Sequence, residues 1–162
     1  MLVAHFGWAK PVEIDSRNFN SKYSIAKAEA IVSLAGPIMN FIMAFVFTIL
    51  LYILFPVTNA FQGLSESAQL ILRLIIEMTI IINIGLGIFN LIPLPPLDGS
   101  KVLTYFLPYN IKQWFYNNTQ IFFIIFIVLL ISGYAGRIIM PLINSVAYGM
   151  DWITFNLINL FM

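Results

Sequence analysis

The sequence predicts an all-α integral membrane protein of three to four transmembrane helices, one of them broken by prolines. Three observations carry this prediction. Sixty per cent of the 162 residues are hydrophobic and only 9% are charged, with a mean hydropathy of +0.93, far above that of a soluble globular domain. Several apolar runs approach or exceed the about 20 residues that a helix needs to cross the hydrocarbon core. Finally, Pro93, Pro95 and Pro96 close the second such run. The same composition excludes other classes. A formal net charge of +1 without any basic run leaves no footprint for nucleic acid. With no cysteine in the chain there is no disulfide framework and no thiolate nucleophile, so any metal would need nitrogen or oxygen ligands.

The elements follow in order along a single membrane domain, residues 1–162. Residues 1–30 hold the first basic residues, Lys10, Arg17, Lys22 and Lys27. The first lysine stands behind the apolar opening "MLVAHFGWA" instead of ahead of it, so this is not the pattern of a cleavable secretory leader. Residues 31–55 form the first span. Residues 70–91 form the second, with Arg73 and Glu77 one turn apart near its start, where opposite charges four residues apart share a helix face. Residues 119–134 form a third, short span. Residues 138–162 are apolar but interrupted by Pro141, Gly149 and Asp151, and they either span or lie in the interface with Trp152 as anchor. Lysines and arginines cluster before the first span and after the second, and are missing from residues 56–69. The positive-inside rule therefore places the N-terminal segment and the Asp98 loop of this multi-pass cell-membrane protein in the cytosol.

Chemistry concentrates in "FNLIPLPPLDGSKVL", residues 89–103. The prolines at 93, 95 and 96 remove three backbone donors and push the residues before them toward extended conformation, so the helix should stop near Asn90 and continue as an extended stretch. Irregular backbone at membrane depth is tolerated where it lines a polar cavity or where another chain pairs with it. Asp98 follows, next to Gly99 and Ser100, where a new helix can begin. From physics alone the carboxylate reads equally as a helix cap or as a functional group. Asn40, in "AGPIMNFIMA", lies one turn beyond Gly36 on the same helix face; on packing grounds it reads as a helix–helix hydrogen bond.

"AGPIMN" in one span, followed by "FNLIPLPPLDGSKVL" at the end of the next, resembles the second and third core helices of the site-2 proteases, the zinc metalloproteases that cleave substrates inside the membrane. "FGWAKPVEID", residues 6–15, resembles the re-entrant stretch that precedes those helices in the smaller bacterial members. The matches run from about residue 6 to 103, in the right order and spacing. The resemblance implies an N-terminal re-entrant segment and a zinc cofactor held by two histidines of an HExxH helix and by the aspartate of the LDG motif, here Asp98. It implies substrate-orienting roles for Asn40 and Asn90 and for the cleft-shaping prolines Pro93, Pro95 and Pro96. Zinc with a carboxylate third ligand keeps a fourth position open for water, whose pKa the metal lowers toward neutrality.

The chain contains no HExxH. Its one histidine is His5, with no glutamate beside it and no second histidine a turn away. One imidazole and one carboxylate do not make a catalytic zinc site. The expectation is therefore a family member shortened by its first core helix: no complete catalytic set, zinc not stably bound by this chain alone, and no peptide hydrolysis as it stands. Expected partners are the lipid bilayer, a transmembrane protein substrate, and either the missing helix or a second copy of the chain, because the faces around Asn40 and Asp98 would otherwise meet lipid. The alternative is a non-catalytic membrane protein whose proline segment clamps a partner strand by main-chain hydrogen bonds. A small transporter would also use a broken helix with an acidic residue, but no paired discontinuous helix accompanies this one.

Overall fold

A computed structural model describes residues 24–57 and 61–161. The described residues form helices and turns without a strand, in the order α1 (Ile25–Tyr52), a π-helical turn (Ile53–Val57), α2 (Glu66–Asn90), α3 (Asp98–Phe106), α4 (Tyr109–Asn117), α5 (Thr119–Ile131) and α6 (Tyr134–Phe161). The re-entrant stretch expected at residues 6–15, together with His5, lies outside the described residues. Residues 25–30 belong to α1.

Local signals set the helix starts. The Ser24 hydroxyl accepts the Lys27 N–H at 3.3 Å, and Ser65 accepts the Ala68 N–H at 3.3 Å, each satisfying a donor that the first turn would leave orphaned. Pro37 sits inside α1 and Pro141 inside α6 without ending either helix. Three helices among the described residues are long and apolar enough to cross a membrane: α1 with its π-turn to Phe55, α2 and α6. At 13 residues α5 is shorter than the about 20 a straight span needs. It joins α4 at a bend of 64°, and the pair makes a fourth candidate only if taken as one broken span.

Helix α1 packs most extensively on α2, and the two run antiparallel. Phe41 lies against Gly87, so closely that a Cβ on Gly87 would come within 2.9–3.2 Å of its ring. Small residues such as Ala44 let the backbones approach, which in lipid replaces the hydrophobic drive available in water. Ala44, Ile80, Ile84 and Ile143 form the buried centre where α1, α2 and α6 meet. Outside it, Ile31, Ile38, Ile42 and Val46 form an exposed stripe on α1, suited to lipid. Helix α6 runs antiparallel to α2, with Ile143 beside Gly85. Helices α3, α4 and α5 gather round the C-terminal end of α2, where Phe126 meets Phe89 with ring centroids 5.8 Å apart.

Ile84 is fully buried and Ile82, two residues away, is 57% exposed. Replacing Ile84 by Ala should destabilise the bundle by about 2–5 kcal/mol through lost contacts and an unfilled cavity. Ile82→Ala should be nearly silent. Unfolding midpoints in detergent measure both, and equal shifts would show that the α1–α2–α6 centre does not hold the fold.

Candidate functional site

The site is built from the end of α2 downwards. Helix α2 stops at Asn90, and residues 91–97 fold into consecutive turns instead of the extended stretch expected from the prolines. The Leu91 N–H donates to the Gly87 and Ile88 carbonyls at 3.2 and 3.1 Å, Ile92 to Phe89 at 3.1 Å, Leu94 to Ile92 at 2.8 Å and Leu97 to Leu94 at 2.9 Å. The prolines have no N–H, and the Pro95–Pro96 peptide is cis. Every main-chain donor of residues 91–97 is therefore already used within the chain. Strand addition needs free donors alternating with free acceptors, so this segment is not arranged to clamp a partner strand in that way.

Asp98 is the first residue of α3. The cap position belongs to Leu97, whose side chain makes no capping hydrogen bond, and the capping reading of Asp98 is replaced by a different placement. One carboxylate oxygen lies 3.6 Å from the Lys101 ammonium, a partly exposed pair worth little by itself. The other faces α1: a Cβ added to Gly36 would come within 3.8 Å of Asp98 Oδ2. The carboxylate also sits in the first turn of α3, where the helix dipole favours negative charge.

Tight packing holds Asp98 there. A Cβ on Gly99 would collide with the carbonyl oxygen of Leu91 and approach that of Ile92 to 2.6 Å, so the start of α3 is pressed against the backbone that leaves α2. Ser100 ties the same corner, its hydroxyl donating to the Leu97 carbonyl at 2.7 Å. Gly36 is six residues inside the uncharged run that begins at Ala30, about 9 Å at 1.5 Å per residue. Asp98 is thus level with the apolar part of α1.

The other expected site residues take different places. Asn40 is half-buried one turn beyond Gly36, and Asn90 is half-buried at the last position of α2. Neither side chain makes a hydrogen bond among the described residues, so the helix–helix bond expected of Asn40 is not formed there. Pro93 is exposed. Pro95 is buried and Pro96 exposed, and both wall two adjoining cavities. One, of about 400 Å³, is shared with Thr119, Gln120, Phe123 and Ile124 of α5. The other, of about 200 Å³, is shared with Ser100, Lys101 and Thr104 of α3, Phe115 and Tyr116 of α4, and Thr119. The walls from α4 and α5 were not found in the sequence, because nothing local in residues 109–124 announces that a bend will fold them back over the prolines.

Among the described residues no three His, Asp or Glu side chains stand close enough to hold a metal ion. Asp98 offers one oxygen ligand of the three protein ligands that a catalytic zinc requires. The donor set is therefore incomplete among the described residues.

Comparison with known proteins meets this geometry at the same residues. The family model described as Peptidase family M50 matches residues 6–133, which include α1, α2, the proline turns and Asp98. The chain is also 32% identical over 150 residues to "Putative zinc metalloprotease YwhC" of Bacillus subtilis (strain 168). That match covers 90% of this chain and 64% of the relative, so the chain spans a little under two thirds of the relative's length. No solved structure gives a significant match.

Proposed function

Because the chain belongs to peptidase family M50, the site-2 protease family of zinc metalloproteases, we propose that its 162 residues carry the substrate-facing part of an intramembrane zinc peptidase, with Asp98 at a metal-ligand position. The observation that carries this reading is the placement of the Asp98 carboxylate at the start of α3, turned toward the glycine of α1 and below the end of the apolar run. In this reading Gly36 keeps α1 clear of the carboxylate, Lys101 offsets its charge, and Asn40 stands one turn along to meet a substrate carbonyl. Asn90 and the turns carrying Pro93, Pro95 and Pro96 shape the cleft. The substrate is a membrane-anchored polypeptide.

The residues absent from this sequence decide what it does by itself. No His-Glu-x-x-His occurs in it. We therefore assign the two histidine ligands and the glutamate base to a helix outside these residues, and expect no hydrolysis from the 162 residues alone. The Lys/Arg distribution supports placing the Asp98 side in the cytosol, and the antiparallel pairing of α1 and α2 keeps that side common to Ser24 and Asp98. The clamp alternative finds no support in turns whose donors are all engaged.

The test is zinc content measured by mass spectrometry on the purified chain, alone and co-expressed with a helix bearing His-Glu-x-x-His. Zinc should accompany the pair and fall by more than about tenfold in Asp98→Asn, which keeps the shape but is a poor ligand. Undiminished zinc in Asp98→Asn, or hydrolysis of a membrane-anchored peptide by the chain alone, would overturn the reading.

A further inference from the structure

At the other end of the bundle, α1, α2 and α6 enclose a cavity of about 410 Å³ lined by Leu51, Tyr52, Phe55, Arg73, Glu77, Ile80, Ile81, Ala147 and Asp151. Tyr52 is 16 residues beyond Gly36, about 24 Å along the helix. Pockets that bind small molecules run from about 300 to 1,000 Å³, whereas a bound water or bare ion needs about 30 Å³. This cavity is therefore the size of a small organic group.

Its charges are of both signs and come from different helices. Arg73 of α2 uses Nε to donate to Glu77 Oε1 at 2.8 Å, which leaves the two terminal nitrogens of its guanidinium for another acceptor. Asp151 of α6 is partly buried and has no cationic partner among the described residues. The Tyr52 hydroxyl and the Phe55 ring stand on the third wall. Three residues after Asp151 on the same helix, the Thr154 hydroxyl is fully buried without a hydrogen-bond partner. A lone carboxylate in such a setting is costly unless a cation joins it. A guanidinium with free donors suits a phosphate. The apolar side chains of Leu51, Ile80, Ile81 and Ala147, which form or pack against the buried centre of the bundle, close the inner side of the cavity.

We propose that this cavity binds the zwitterionic headgroup of an amine-bearing phospholipid, phosphate on Arg73 and ammonium on Asp151 with Tyr52. An anionic lipid without an amine leaves Asp151 unpaired and adds a like charge beside it. A quaternary amine has no N–H to donate to the carboxylate. The site therefore ranks primary amine headgroups above both.

Native mass spectrometry of the purified chain with dioleoyl phosphatidylethanolamine, phosphatidylcholine or phosphatidylglycerol reads this ranking directly. The ethanolamine lipid should be retained about tenfold more strongly than the glycerol lipid, the difference expected from one charge-assisted hydrogen bond. Asp151→Asn, which preserves volume, should abolish the preference while leaving the glycerol lipid bound. Arg73→Gln should weaken both. Soluble phosphoethanolamine should displace the ethanolamine lipid, and failure to compete would show that the headgroup does not occupy the cavity. Equal retention of all three lipids, or an unchanged preference in Asp151→Asn with an unchanged unfolding midpoint, would overturn it.

Discussion

Replacing Gly99 by Ala is expected to be among the most damaging single-methyl additions in the chain. The added Cβ would be driven into the carbonyl oxygen of Leu91 and to within 2.6 Å of that of Ile92. These are backbone atoms at the junction of α2 and α3, so no rotamer change relieves the clash and the helix start itself must move. Overpacking costs about 1–3 kcal/mol even where side chains can yield, and here the upper end or more is expected. The displaced element begins with Asp98, so on the proposed function zinc retention by the chain co-expressed with a His-Glu-x-x-His helix should fall with stability. Gly136→Ala supplies the control, since its Cβ would meet nothing within 4 Å and Ala is the better helix former by up to about 1 kcal/mol. Unfolding midpoints of the two variants should move in opposite directions. If Gly99→Ala proved as stable as the parent, the close packing that fixes Asp98 would not exist in the folded protein.

What the sequence reveals and what it hides divide along physical lines. Apolar run length is a local quantity set by bilayer thickness, so the helical, multi-pass character and the helices α1 and α2 were legible. The Arg73–Glu77 pair was legible too, because residues four apart on a helix are neighbours whatever the fold does, and the structure joins them at 2.8 Å. The motifs around Asn40 and Asp98 pointed to the family that the comparisons then showed. Tertiary approach was not legible. Asp151 looked like an interruption in the last apolar segment, yet it reaches a cavity with Arg73 and Tyr52, residues about 80 and 100 positions away. The prolines suggested an extended stretch because proline restricts its predecessor toward it. Leu94 and Leu97 instead turn their N–H groups back onto Ile92 and Leu94, which spares buried donors that lipid could not satisfy.

Gly36 should behave as a gauge of the space kept for the Asp98 carboxylate. An Ala there would place its Cβ 3.8 Å from Asp98 Oδ2, an ordinary van der Waals contact, so Gly36→Ala should fold and, on the proposed function, the co-expressed pair should retain zinc much as the parent does. Leucine at the same position carries three further carbons into the volume in front of the carboxylate. Gly36 is exposed on α1 and its Cβ would touch no side chain but Asp98 within 4 Å, so Gly36→Leu is expected to fold while its outer carbons push the carboxylate off its line. Zinc retention in Gly36→Leu should therefore fall by about the factor of 10 or more expected of Asp98→Asn, with the unfolding midpoint of the isolated chain nearly unchanged. Asn40→Ala, one turn further along the same face, should keep its zinc, because the role proposed for Asn40 concerns the substrate and not the metal. Loss of zinc in Gly36→Leu but not in Gly36→Ala or Asn40→Ala would locate the metal in front of α1 at Gly36. Full retention in Gly36→Leu would mean that Asp98 meets its metal from another side, and the substrate-facing surface would have to be sought away from α1.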